Sequence, residues 1–149
     1  MSEATATTLR VLVAPLSAHA CLPHKAHASD AGFDLAVPTD HILAPYEHTS
    51  IDLEIAVQIP PGWYGQIFGR SSVFQRGVIV HPGVIDTDYR GPVQLLVYNQ
   101  RSTPHTVQRG DRLAQLLLLP VPAVTLTPVT PAELSATARG AGGIGSTGR

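Results

Sequence analysis

Val78-Ile79-Val80, the polar run Gly83-Val84-Ile85-Asp86-Thr87-Asp88-Tyr89-Arg90-Gly91, and then Val93-Gln94-Leu95-Leu96-Val97 together decide the fold. The outer runs are apolar and β-branched, bounded by Pro82 and by glycines, which predicts a pair of strands. The polar run is then the tip of a β-hairpin, where the strands fix side chains that can meet a ligand. Reversing a chain needs only Gly, Asn or Asp. Two carboxylates, with an aromatic ring three residues after the first, exceed that need and mark a candidate site.

Outward from this hairpin, strand-like runs recur at residues 11–13, 33–37, 41–43, 51–59, 63–68, 93–99, 106–107 and 113–120. Ile51-Asp52-Leu53-Glu54-Ile55-Ala56-Val57-Gln58-Ile59 alternates apolar and mostly polar residues with period two, as a half-buried strand does. The 13 Pro and 13 Gly are scattered between the runs as turn formers, which disfavours long helices. Only residues 71–76 and 131–137 suit a helical turn or two. Many short, regularly spaced strands predict an all-β sandwich or barrel. The apolar stretch 116–122 and the strand-like 124–127 read as core or edge strand, ahead of a subunit interface. Residues 1–8 read as a disordered extension. Residues 139–149 hold five glycines and no large aromatic, so they form a mobile C-terminal arm to a single domain spanning 1–138.

A chain of 149 residues with 44% hydrophobic residues supports one domain with one core. Its 14% charged residues fall below the usual share of about a quarter, as expected of a protein that covers surface with copies of itself. A net charge of -1 argues against direct nucleic-acid binding, which needs a basic footprint, yet a triphosphate needs only a few converging donors. The lone Cys21 excludes an intramolecular disulfide and reads as a partly buried side chain. No run approaches the roughly 20 apolar residues of a membrane span. Met1-Ser2-Glu3-Ala4-Thr5 lacks the character of a signal peptide. A soluble, cytoplasmic protein is expected.

Several residues outside the hairpin carry chemistry. Arg70 offers a planar fork, and Ser71 and Ser72 offer hydroxyls and amides at a strand-to-helix turn, a set suited to phosphate oxygens. A surface ion pair and helix capping explain the same residues equally well. Gln115 is a neutral polar residue entering an apolar strand and must find partners, in a neighbouring strand or in a ligand. Asp111 and Arg112 read as a structural turn and ion pair. His24 and His27 read as loop residues, since no further ligand pattern accompanies them.

The hairpin resembles the third signature motif of the trimeric deoxyuridine triphosphatases (dUTPases). The others follow in family order. Ala31-Gly32-Phe33-Asp34-Leu35 resembles the first motif, and Gly69-Arg70-Ser71-Ser72 with Gly77-Val78 the second. Arg109-Gly110-Asp111-Arg112-Leu113-Ala114-Gln115-Leu116 resembles the fourth, and Arg139-Gly140-Ala141-Gly142-Gly143-Ile144-Gly145-Ser146-Thr147-Gly148 the fifth. The resemblance implies a jelly roll assembled as a homotrimer, hydrolysing dUTP to dUMP and pyrophosphate with Mg²⁺. Each site would be shared: motifs one, two and four from one subunit, the hairpin from a second, the tail from a third.

It further implies a role for each residue. Asp86 is the base that activates water, with Gln115 at the phosphates or the attacking water. Arg70, Ser71 and Ser72 contact the α- and β-phosphates. Main-chain groups around Val80, Gly83, Val84 and Ile85 read the uracil, the Tyr89 ring packs under the deoxyribose, and Gln94 is a further substrate-binding residue. Asp34 holds Mg²⁺ through water or pairs with an arginine such as Arg70. Arg139, Ser146 and Thr147 close on the γ-phosphate, and Gly145 between them is also substrate-binding. Ile144 stands where the family commonly has phenylalanine, so it covers the uracil without stacking. A sibling dCTP deaminase would need an acid/base near the cytosine amino group, whereas Asp86 sits in the water-attack pattern. A nucleotide-responsive protein-binding role is the alternative function, its partner unspecified.

Overall fold

The computed structural model describes residues 8–148, so most of the expected N-terminal extension, and Arg149, lie outside the described residues. Eleven strands follow in order: β1 (Leu12–Pro15), β2 (Phe33–Ala36), β3 (His41–Leu43), β4 (His48–Asp52), β5 (Ile55–Gln58), β6 (Trp63–Gly69), β7 (Val78–Val80), β8 (Gly83–Ile85), β9 (Gln94–Asn99), β10 (His105–Val107) and β11 (Arg112–Pro120). One short helix, α1 (Ser71–Gln75), sits between β6 and β7, and a 3₁₀ turn covers Pro131–Glu133. The hydrogen-bonded sheets run β2-β11-β6-β8, β4-β9-β7, β1-β5 and β10-β3, and every pair is antiparallel. All four supply one core cluster, with Leu35, Leu43, Ile51, Leu95, Val107 and Leu113 among its most buried members. This is the all-β jelly roll expected. Among the described residues no helix is long and apolar enough to cross a membrane.

The alternating run 51–59 is two strands rather than one. Ile51, Leu53, Ile55, Val57 and Ile59 are all buried, so the inward face is continuous. The pairing is not: β4 lies against β9, whereas β5 lies against β1. Between them Glu54 takes a left-handed φ of 55°. Its N–H donates to Asp52 Oδ1 at 2.7 Å, Leu53 N–H to Val93 O at 2.9 Å, and Val93 N–H to Ile55 O at 2.8 Å. The Glu54 carboxylate accepts from the Ser17 hydroxyl, which fastens the loop after β1 to this corner. The chain thus changes partners while its apolar side stays inward.

The hairpin is also more than a turn. Its outer runs pair as expected, Val78 opposite Asn99 and Val80 opposite Val97. Gly83–Ile85, however, leaves that sheet and joins the edge of the other one beside β6, with Ile67 opposite Gly83 and Gly65 opposite Ile85. The connection therefore bridges two sheets, and only the part after Ile85 is a free tip.

A third difference concerns residues after β11. Leu116 is buried as expected, but residues 121–130 are exposed and belong to no strand, so the reading of 121–127 as core or edge strand is overturned. Pro120, Pro122 and Pro128 supply no donors to a ladder, and Val121 N–H to Gly62 O, 2.8 Å, is the last bond to the barrel. The one buried polar residue described, Asn99, is fully used. Its Nδ2 donates to Leu43 O, Ala44 O and Thr103 O at 2.9–3.1 Å, and its Oδ1 accepts from Arg101 N–H.

Two tests follow from local features. Tyr46 has φ of 55° and is exposed, so its left-handed backbone is strained with little packing in return. Tyr46→Gly relieves about 1–2 kcal/mol of strain and loses part of it to the larger entropy of an unfolded glycine. A net gain of about 0.5–1 kcal/mol in urea unfolding is expected. His105 has its pKa lowered from 6.5, first by burial, then by the cations of Arg76 and Arg101, with Asp111 opposing. The unfolded chain therefore takes up that proton more readily, and stability is lost as pH falls through 6.5 toward the lower folded value. In paired unfolding measurements from roughly pH 7.5 to 5, wild type should lose more stability than His105→Gln.

Candidate active site

The sequence-predicted residues gather in three places. The first is the junction of β2, β6 and β11. Asp34 on β2 lies opposite Gln115 on β11, and Gln115 lies opposite Phe68 on β6. Gly32 leaves room for the Gln115 side chain: a Cβ there would stand 2.8 Å from its Oε1. Arg70 follows β6 directly, its N–H donating to Leu113 O at 3.1 Å and its Nη1 to Arg112 O at 3.3 Å. Asp34 Oδ1 meets Arg70 Nε at 3.4 Å, and Asp34 Oδ2 accepts from Arg112 Nη1 at 2.9 Å.

This places the expected ion pair differently. Arg112 pairs with Asp34 and not with Asp111, whose carboxylate instead accepts from Gln108 N–H at 2.9 Å within its own turn. One carboxylate between two guanidiniums leaves a net positive charge. Beside it, Ser71 and Ser72 are exposed in the first turn of α1, where no side chain caps the helix. Oriented amides, hydroxyls and surplus positive charge are groups whose chemistry suits phosphate oxygens.

The second place is the hairpin. A cavity of about 310 Å³ is lined by Gly83, Val84, Ile85, Tyr89, Gln94 and Leu96 among others. That volume is at the small end of ligand pockets and suits one flat organic group. Its walls are braced by specific contacts. Tyr89 O–H donates to Pro92 O at 2.9 Å, and the ring folds onto Gly91, where a Cβ would come within 2.6 Å of Tyr89 Cζ. Thr87 Oγ1–H donates to Ile59 O at 2.7 Å, and Arg90 Nη1 donates to the carbonyls of Thr87 and Tyr89 at 2.8 and 2.9 Å. Asp86 itself is exposed at the head of this turn, closed by Tyr89 N–H to Asp86 O at 3.2 Å. The Gln94 side chain accepts from Ser50 Oγ–H at 2.7 Å. Val80 is buried and packs toward Gly69, where a Cβ would lie 3.1 Å from its own Cβ, so it backs the hairpin without lining the cavity.

The third place is the tail. Arg139, Ile144, Gly145, Ser146 and Thr147 are all exposed, and the segment folds on itself. Arg139 Nε donates to Gly142 O at 2.8 Å, and successive turns are closed by Gly142 N–H to Arg139 O and Ser146 N–H to Gly143 O, both 3.1 Å. Ile144 is fully exposed and touches neither of the other two groups.

Within one chain these groups do not meet. Asp86 follows Ile85, which lies opposite Gly65, whereas Arg70 follows the far end of β6. From position 65 to 70 an extended strand covers about 16 Å, too far for a base and a phosphate clamp to serve one reacting phosphorus. A larger cavity, about 800 Å³, lies elsewhere, against β1, Phe33, Trp63 and Leu118. Its lining is mostly apolar and includes none of the motif side chains apart from Ala31, Phe33 and Leu116, so size alone does not locate the site. The residues to which sequence reasoning gave no role are Thr87 and Gln66, whereas Arg112 was read as pairing with Asp111. Gln66 Nε2 donates to Gly83 O at 3.0 Å and Ile67 O at 3.3 Å. It is a neutral polar residue inside an apolar strand, the signal that had singled out Gln115.

Fold and geometry thus describe a small all-β protein with a small cavity at the hairpin and, separately, two guanidiniums around one carboxylate beside two exposed serines. The family model for dUTPase matches residues 18–148, and the chain belongs to the dUTPase family. A deoxyuridine 5'-triphosphate nucleotidohydrolase of Thermobifida fusca is 40% identical over 145 residues, covering 95% of this chain and 80% of the relative. A dUTPase of Staphylococcus bacteriophage 80alpha, solved with dUPNHPP, superposes with a TM-score of 0.84 at 28% identity, covering 95% of this chain and 100% of that one. A mutant dUTPase from phage phi11 of S. aureus, reported for its coordination of a structural Mg(II) ion, gives a TM-score of 0.77 at 26% identity, covering 84% and 99%.

Proposed function

We propose that the protein hydrolyses dUTP to dUMP and pyrophosphate, limiting uracil entry into DNA and supplying dUMP for thymidylate synthesis. The observation that carries this reading is the small hairpin cavity walled by Gly83, Val84, Ile85 and the clamped Tyr89 ring, with an exposed carboxylate, Asp86, beside it. Uracil enters between the hairpin main chain and Gln94, and the deoxyribose lies on Tyr89, whose fixed ring leaves no space for a 2′-hydroxyl. Asp86 takes a proton from a water as its oxygen bonds to the α-phosphorus, and the bond to the β-phosphate oxygen breaks. Arg70, Ser71, Ser72 and Gln115 hold the α- and β-phosphates in line for that attack.

The site is completed between copies in a homotrimer. Two observations support this: the separation of Asp86 from Arg70 along β6, and the exposed apolar side chains of Val124, Leu126 and Leu134, which a lone chain leaves largely in water. The arm 139–149 of a third copy then closes over the phosphates, with Arg139, Gly145, Ser146 and Thr147 on the γ-phosphate and Ile144 over the base. Closure by isoleucine covers the base without aromatic stacking.

The donor set also bears on Mg²⁺. Asp34 is the one carboxylate at the phosphate clamp and is already held by two guanidiniums. No group of three or more His, Cys, Asp or Glu residues is placed to hold a metal among the described residues. That fits an ion carried by the triphosphate, with Asp34 reaching it only through water, better than one caged by protein. Such an ion supplies charge neutralisation to the departing pyrophosphate.

Pyrophosphate release tests the proposal, with Mg²⁺ present and UTP, dCTP and dTTP beside dUTP. Turnover is expected with dUTP alone, and Asp86→Asn should lower kcat by about 10²–10⁴-fold. Undiminished turnover in Asp86→Asn would remove the assigned base, and binding of dUTP without turnover would overturn the enzymatic reading.

A further inference from the structure

We infer that Gln66 is a positioning residue for base selection, holding the strand whose main chain faces the base. The inference rests on the dUTP reading above. Strand β8 is three residues long and lies at the edge of its sheet, with β6 as its only neighbour there among the described residues. Its other side forms a wall of the hairpin cavity. So short an edge strand has few ladder bonds to set its height above β9, the opposite wall.

Gln66 makes up that deficit. It stands directly opposite Val84, is partly buried, and its Nε2 donates to Gly83 O at 3.0 Å and to Ile67 O at 3.3 Å. One amide group thereby ties both strands together at the back of the cavity, since Gly83 and Ile67 both line it. Among the described residues no other side chain hydrogen-bonds to β8. Uracil and cytosine differ in donors and acceptors at one edge, and hydrogen bonds weaken steeply with distance and angle. A wall free to drift by a fraction of an ångström would therefore recognise uracil less well and reject cytosine less well.

The catalytic carboxylate is anchored independently. The turn bearing Asp86 is held by Thr87 Oγ1–H to Ile59 O and by Arg90, neither of which involves Gln66. Loss of the Gln66 amide should then act on substrate binding and base choice, and leave the chemical step nearly intact.

Two variants test this. Gln66→Met keeps the length of the side chain and removes the donor. Gln66→Glu keeps the shape and turns an acceptor toward two carbonyls. Steady-state kinetics with dUTP and dCTP, and the thermal midpoint, are read for each. In Gln66→Met, KM for dUTP should rise about 5-fold with kcat within about twofold, and the dUTP-to-dCTP ratio of kcat/KM should fall by a similar factor. Gln66→Glu should shift both further. A lowered thermal midpoint with KM and the ratio unchanged in both variants would make Gln66 merely structural and overturn the inference. A wild type that itself fails to prefer dUTP would instead overturn the reading on which the inference rests.

Discussion

The antiparallel pairing of Trp63–Gly69 with Gly83–Ile85 governs the rest of the molecule. It draws the hairpin out of the sheet it starts in and fixes which end of β6 each functional group occupies. The acid-bearing turn leaves from the Gly65 end, and the guanidinium clamp begins beyond Gly69. No side-chain rotation can close a gap set by the rise of a strand. Within one chain the two groups therefore lie apart, as the two half-sites of the proposed shared site.

Each half-site is stiffened by bonds that do no chemistry. At the clamp, Asp34 binds Arg70 and Arg112 together, which spaces two cations that would otherwise repel and leaves one net charge for an anion. At the hairpin, the hydroxyls of Thr87 and Tyr89 end on backbone carbonyls and the Gln66 amide ties β6 to β8. Bonds of this kind are individually modest, yet they hold loops to within the tolerance that recognition requires. The tail is the opposite case. It is rich in glycine and, among the described residues, closed only by local turns.

Much of this was legible in the residues and some was not. Periodicity located nearly every strand, because alternation reports burial directly, as it does at Ile51, Leu53 and Ile55. It could not report partners, so the break at Glu54 passed unseen: the inward face runs on while the sheet changes. Val124 and Leu126 carry a strand-like pattern, and a single chain leaves them exposed, since proline-rich sequence around them offers no ladder to join. The motifs brought Arg70, Asp34 and Gln115 to one junction, but Arg112 was paired with its neighbour in sequence rather than with the carboxylate across the sheet. Sequence proximity is a weak guide to ion pairing in a barrel where most contacts are between distant segments.

Complementation between inactive chains tests the divided site most directly. Asp86→Asn and Arg70→Ala are each prepared alone, then unfolded, mixed in equal amounts and refolded together. If the hairpin and the clamp of one site come from different chains, the separate proteins stay inactive and the mixture recovers about one quarter of wild-type turnover, the random share of interfaces that pair two intact halves. If both halves belong to one chain, every site in the mixture keeps a defect, and no activity returns.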